Sequence, residues 1–115
     1  MDMKTYQGKV FYEKCDTGDM DSIRYFAAKI QKQFKEVHLL INNAGILGVT
    51  YKETKEGFES QMAVNYLGHF LLTHLLMPQL EVGALNNDGK NVRIVNVSSC
   101  VNNLGLIDYE DFQSK

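Results

Sequence analysis

A stretch from about residue 56 to residue 77 constrains this chain more than any other. Phe58, Met62, Asn65, His69, Leu72 and Leu76 recur on one helical stripe, and Val64, Leu67, Leu71 and Leu75 fill a neighbouring one. Past Val64 such a helix is apolar nearly all round, so it must be covered on two sides. A sheet can cover one of them and a second subunit the other. Pro78 is expected to limit its continuation, because proline removes a helical amide and clashes with the preceding turn.

Short apolar runs flank this helix. Residues 37–42 (VHLLIN) fit a strand buried on both faces, as in a parallel sheet, and residues 92–98 (VRIVNVS) fit another. Residues 9–15 (KVFYEKC) are β-branched and aromatic and read as a strand too. Between that run and residues 37–42, Ile23, Phe26, Ala27, Ile30 and Phe34 mark an amphipathic helix over about 21–35, with Asp19 or Asp21 as its cap. Strand, helix, strand, helix, strand argues for βαβ units and an α/β fold. Ligands of such sheets bind beyond the carboxyl ends of the strands. Three polar clusters lie there: Asp16–Thr17, residues 42–45 and Ser98–Ser99.

Composition excludes several classes. Twelve basic residues against fourteen acidic ones leave a net charge of −2, with no cationic excess to neutralise the phosphates of a nucleic acid. The run 70–77, broken by Thr73 and His74, is far shorter than the roughly 20 residues of a membrane span. No leader with an apolar segment opens the sequence. Cys15 and Cys100 lack metal-ligand spacing and read as reduced thiols, while His38, His69 and His74 read as packing or surface residues, so no metal site is expected.

Four segments together resemble the short-chain dehydrogenase/reductase family. Residues 42–45 (NNAG) follow a buried strand, Asn65 opens N-x-x-G-x-F on the next helix, residues 95–99 (VNVSS) end a strand, and Cys15–Asp16 closes the first. The wording NYLGHFLLT is similar to the retinol-dehydrogenase-like branch. The resemblance covers almost the whole chain. It implies an incomplete Rossmann-type parallel sheet over residues 1–115, β-α-β-α-β, without the first βαβ unit and the C-terminal part.

The resemblance also implies an NAD(P)-dependent oxidoreductase that moves a hydride between nicotinamide and a carbonyl or alcohol carbon. NADP is slightly favoured over NAD, and the substrate would be a small apolar alcohol or carbonyl compound. Asn65 would hold a water in a proton relay, which requires an irregular helix near it, and Ser99 would position the substrate oxygen. Asn43, Ala44 and Gly45 would border the ribose and nicotinamide, and Asp16 with Thr17 the adenine side. On its residues alone each is also plain structure: a strand-to-loop turn, a backbone-bonded Asn, a strand-end hydroxyl and a helix-entry Asp.

Two family elements find no match. The sequence has no Gly-rich phosphate turn, and no Tyr-x-x-x-Lys follows Ser99. Tyr25–Lys29 and Tyr51–Lys55 precede the serine strand, and Tyr109 is followed four residues on by Gln113. The family's Tyr is its general acid/base, so this chain alone is expected to be inactive. The segment 106–115 resembles what comes just before that Tyr. Helix faces meant for absent elements would be exposed, so marginal stability is expected as well. The alternative reading is a non-catalytic dimerisation or interaction module, as a homo-oligomer or with a full-length paralogue.

Overall fold

The computed structural model describes residues 8–87, 91–100 and 105–111. The segment 106–115 falls partly outside them. The described elements run α1 (Met20–Gln33), β1 (Leu39–Asn42), the short α2 (Ser60–Met62), a π-helical turn (Ala63–Leu67), α3 (Gly68–Asn86) and β2 (Arg93–Asn96).

The helix α1 begins where Asp19 leaves helical geometry and its carboxylate accepts from the amides of Asp21 (2.9 Å) and Ser22 (3.1 Å). These are donors that a helix start otherwise leaves unanswered. Ile23 and Ala27, one turn apart, are fully buried against Leu72, Leu76 and Leu80 of α3 and Leu40 of β1. This is the core, and Ile23 is its largest wholly enclosed side chain. Ile23→Ala should cost about 2–4 kcal/mol, read as a lowered urea midpoint, since the deleted atoms leave a cavity as well as lost burial.

The two strands pair in parallel, Leu39 with Arg93 through Asn42 with Asn96, and α3 is the crossover between them. The chain is therefore a partial α/β fold, as expected. Three expectations are corrected. Residues 9–15 form no strand, and Val10 and Tyr12 are almost fully exposed. A strand needs a hydrogen-bonded neighbour, and among the described residues β1 and β2 pair with each other alone. Instead, Phe11 rests edge-on against Phe34, with ring centroids 5.9 Å apart.

Second, β1 is buried on one face, not two. Leu40 and Asn42 point into the core while Leu39 and Ile41 stay about half exposed, because α1 and α3 both pack on the same side.

Third, α3 continues through Pro78 to Asn86. A proline deletes one amide donor, and two carbonyls beside it take donors from outside the helix. The Gln31 side chain donates to Leu75 (2.6 Å) and the Val37 amide donates to Gln79 (3.0 Å). Beyond the proline, Leu80 is buried and Gly83 lies against the Val37 backbone, so tertiary packing carries the helix on.

Candidate active site

The site lies at the carboxyl ends of both strands. The amide of Val97 donates to the Asn42 carbonyl at 3.0 Å, which brings residues 97–99 beside the turn that leaves β1. Beneath them the Asn42 side chain is buried and donates to Thr73 (3.0 Å) and to Asn96 (2.8 Å), tying both strand ends to α3. Asn42 therefore serves structure, as an amide on this turn can.

A cavity of about 430 Å³ opens between residues 43–47, residues 97–99 and the start of the long helix, where Asn65 and His69 line it. The structure thus brings Asn43, Ala44, Gly45, Asn65 and Ser99 together. Asp16 and Thr17 lie outside this lining. Asp16 shapes its own turn, accepting from the Gly18 amide at 2.9 Å. Thr17 presents its carbonyl to Gly68, one turn from Asn65, so closely that a Cβ there would stand 2.1 Å from it.

Asn65 sits in the π-helical turn, the irregularity its expected role requires. Glu59 starts this region by accepting from the amides of Gln61 (2.8 Å) and Met62 (2.7 Å). The Gly68 amide then reaches back five residues to Ala63. An i→i+5 turn inserted in an α-helix aims the residues it contains away from the ordinary stripe. The Asn65 amide consequently faces the turn after β1. Its Oδ1 accepts from the Ile46 amide and its Nδ2 donates to the Ile46 carbonyl, both at 2.9 Å. Both side-chain atoms are committed to holding the turn that carries Asn43, Ala44 and Gly45. A Cβ on Gly45 would stand 3.3 Å from Asn65 Oδ1, so the close approach favours glycine.

His69, read from the sequence as a packing or surface residue, is half-buried and lines this cavity and a second one of about 300 Å³. Tyr66, Phe70, Thr73 and Asn96 also border that second cavity. Its Nε2 is buried without a hydrogen-bond partner. Burial holds its pKa below the usual imidazole value, while the backbone carbonyl of Asn65 opposes that shift. The signal in the sequence was the spacing: Asn65, His69 and Thr73 recur every four residues on an otherwise apolar helix.

The two earlier Tyr-x-x-x-Lys pairs are poor acid–base groups. The Tyr51 hydroxyl donates to Glu53 at 2.7 Å, and that carboxylate pushes its pKa up to about 12, away from working pH. Lys55 is held at 2.8 Å by both Asp19 and Asp21. Tyr25 points to solvent, and Lys29 pairs with Glu13.

The short chain dehydrogenase family model matches residues 2–111. The chain belongs to that family, and within it is retinol-dehydrogenase-like. It is 43% identical over 111 residues to human retinol dehydrogenase 12, across 96% of this chain and 33% of that protein. Among solved structures, an uncharacterized protein from Mycobacterium paratuberculosis aligns with a TM-score of 0.72 and 38% identity, over 96% of this chain and 36% of its own. NADPH-bound carbonyl reductase from chicken fatty liver aligns with a TM-score of 0.64 and 29% identity, over 76% and 36% respectively. The chain therefore spans about one third of the length of the curated relatives it matches.

Proposed function

We propose that these residues are the substrate and nicotinamide side of an NAD(P)-dependent oxidoreductase acting on a small apolar alcohol or carbonyl compound. The observation that carries this reading is the convergence of residues 43–45, Asn65 and Ser99 on one cavity at the strand ends. The bound NADPH of the carbonyl reductase neighbour supports NADP over NAD.

The residues fit the nicotinamide–ribose half of such a cofactor. Residues 43–45 are an exposed backbone turn, closely approached at Gly45 and braced by Asn65. The cofactor, when bound, supplies the hydride. Ser99 offers its hydroxyl to the substrate oxygen and so fixes which face of the carbon meets the cofactor. Asn65 keeps the turn in place through Ile46. Proton transfer to that oxygen requires a Tyr-x-x-x-Lys pair that this sequence does not supply, so the chain alone is inactive. Asp16 and Thr17 would border the adenine side, away from the reacting atoms.

Titration of the ¹⁵N-labelled chain with nicotinamide mononucleotide tests this. Amide shifts should concentrate at residues 43–47 and 97–99. Shifts confined to the cavity between Phe11 and Phe34 would refute the assignment.

A second reading has its own observation. Tyr66, Phe70 and Leu85 of the long helix, and Leu39 and Ile41 of β1, are exposed. Apolar surface of this kind favours association, with a second copy or a full-length paralogue. Sedimentation should show concentration-dependent association between 5 and 200 µM (about a fortyfold span, wide enough for a weak interface); a monomer throughout would remove this reading.

A further inference from the structure

We propose that Thr73 and Asn96 are positioning residues for the site, acting through the buried Asn42 side chain to hold the turn 43–45 in register with residues 97–99. The inference rests on the reading of those two segments as the sides of one site. Its test separates the two, because the unsubstituted chain answers for the site and the variants answer for the positioning.

The strands alone fix this register over a short distance. Each has four residues, and their last pair is Asn42 with Asn96. The Val97 amide, bonded to the Asn42 carbonyl at 3.0 Å, carries the ladder one step further. Past it lie the segments that form the site, and residues 43–45 and 97–99 are exposed.

Side chains supply what the short strands do not. A primary amide carries two N–H donors. Asn42 Nδ2 donates to Thr73 Oγ1 at 3.0 Å and to Asn96 Oδ1 at 2.8 Å. These partners lie 31 and 54 residues away in sequence, so one amide joins both strand ends to the long helix. The same helix meets the other end of the turn, where Asn65 holds Ile46 through both of its amide atoms. The segment is thus anchored to one helix at Asn42 and again at Ile46, and residues 43–45 span the interval. Thr73, Asn96, Asn65 and Val97 all border the cavity of about 300 Å³, which sets this junction against the site.

The environment of Asn42 shows that core packing does not explain it. The residue is 2% exposed, and its Oδ1 is buried without a hydrogen-bond partner. An orphaned buried acceptor is destabilising. An apolar side chain would avoid that, as Leu40 does on the same face of the strand. What an apolar residue cannot supply is two directed bonds from one point, one to each element that must stay in place.

Amide exchange and ligand titration of the full ¹⁵N-labelled chain test this together. Thr73→Val keeps the side chain's shape and removes the acceptor, and Asn96→Leu removes the other acceptor. Each should speed exchange of the Val97 amide about fivefold relative to the core amides of α3, the equilibrium worth of one hydrogen bond. Each should also weaken binding of nicotinamide mononucleotide by about the same factor. Thr73→Ser and Asn96→Asp keep an accepting oxygen and should restore both readings. Unchanged relative exchange at Val97, or no recovery in the conservative variants, would overturn the proposal. Faster exchange with unchanged nucleotide binding would reduce the junction to a structural tie and overturn the positioning role. An unsubstituted chain that shows no shifts at residues 43–47 would instead sink the reading of the site, and the positioning role with it.

Discussion

Gly68→Ala should abolish the cooperative unfolding transition of this chain, or lower its urea midpoint by the equivalent of about 3 kcal/mol, the upper range for overpacking. The added Cβ would lie 2.1 Å from the Thr17 carbonyl oxygen and 3.0 Å from its carbon. Both are backbone atoms, so no rotamer change relieves the clash. Either the 16–18 loop or the start of α3 must move, and each carries weight. The loop leads into the Asp19 cap of α1, and the helix start carries the π-helical turn and Asn65. Folded domains are stable by only about 5–15 kcal/mol, and one sheet face here is largely uncovered. Gly83→Ala, 2.5 Å from the Val37 carbonyl, should behave similarly but leave the site end in place. An unchanged midpoint for Gly68→Ala would mean that the loop does not pack on α3 as described.

The second large effect concerns Ser99. The test is a chimera in which this chain replaces the matching third of human retinol dehydrogenase 12, to which it is 43% identical over 111 residues. There Ser99→Ala should lower kcat by about a hundredfold, the usual loss when one positioned donor to a developing oxyanion is removed. KM for the nicotinamide cofactor should change little, because on the proposed reading the hydroxyl meets the substrate oxygen. A parallel loss of cofactor binding would place Ser99 on the cofactor instead. A kcat within twofold of the parent would deny it any role in the reaction.

The α/β class was legible because its signals are local. The periodicity of Ile23, Ala27 and Ile30 marked α1, and the apolar runs at 37–42 and 92–98 marked both strands. The misreadings share a cause. KVFYEKC has strand composition, but a strand is a pairing, and no neighbour is available to it among the described residues. VHLLIN suggested burial on both faces, but burial depends on where α1 and α3 pack. Pro78 suggested a helix end, but donors from Gln31 and Val37 and the burial of Leu80 override the local penalty.

The site was legible in part for the same reason. The NNAG turn, Asn65 and Ser99 stood out by residue type, and the structure sets them around one cavity. The sequence did not reveal the two-bond clamp of Asn65 on Ile46, which depends on an i→i+5 turn that no pattern of residue types announces. Nor did it reveal that the closest constraint on Gly68 is the Thr17 backbone, some fifty residues away in sequence.

The unsubstituted chimera tests the central claim most directly, that these residues form one side of a nicotinamide-dependent site. It joins this chain to the phosphate turn and to the Tyr-x-x-x-Lys pair that the sequence here does not supply. We expect nicotinamide-dependent oxidation of retinol at a rate within about tenfold of the parent enzyme, a margin of about 1.4 kcal/mol in the barrier. A chimera that folds and binds a nicotinamide cofactor yet oxidises neither retinol nor another apolar alcohol would contradict the account.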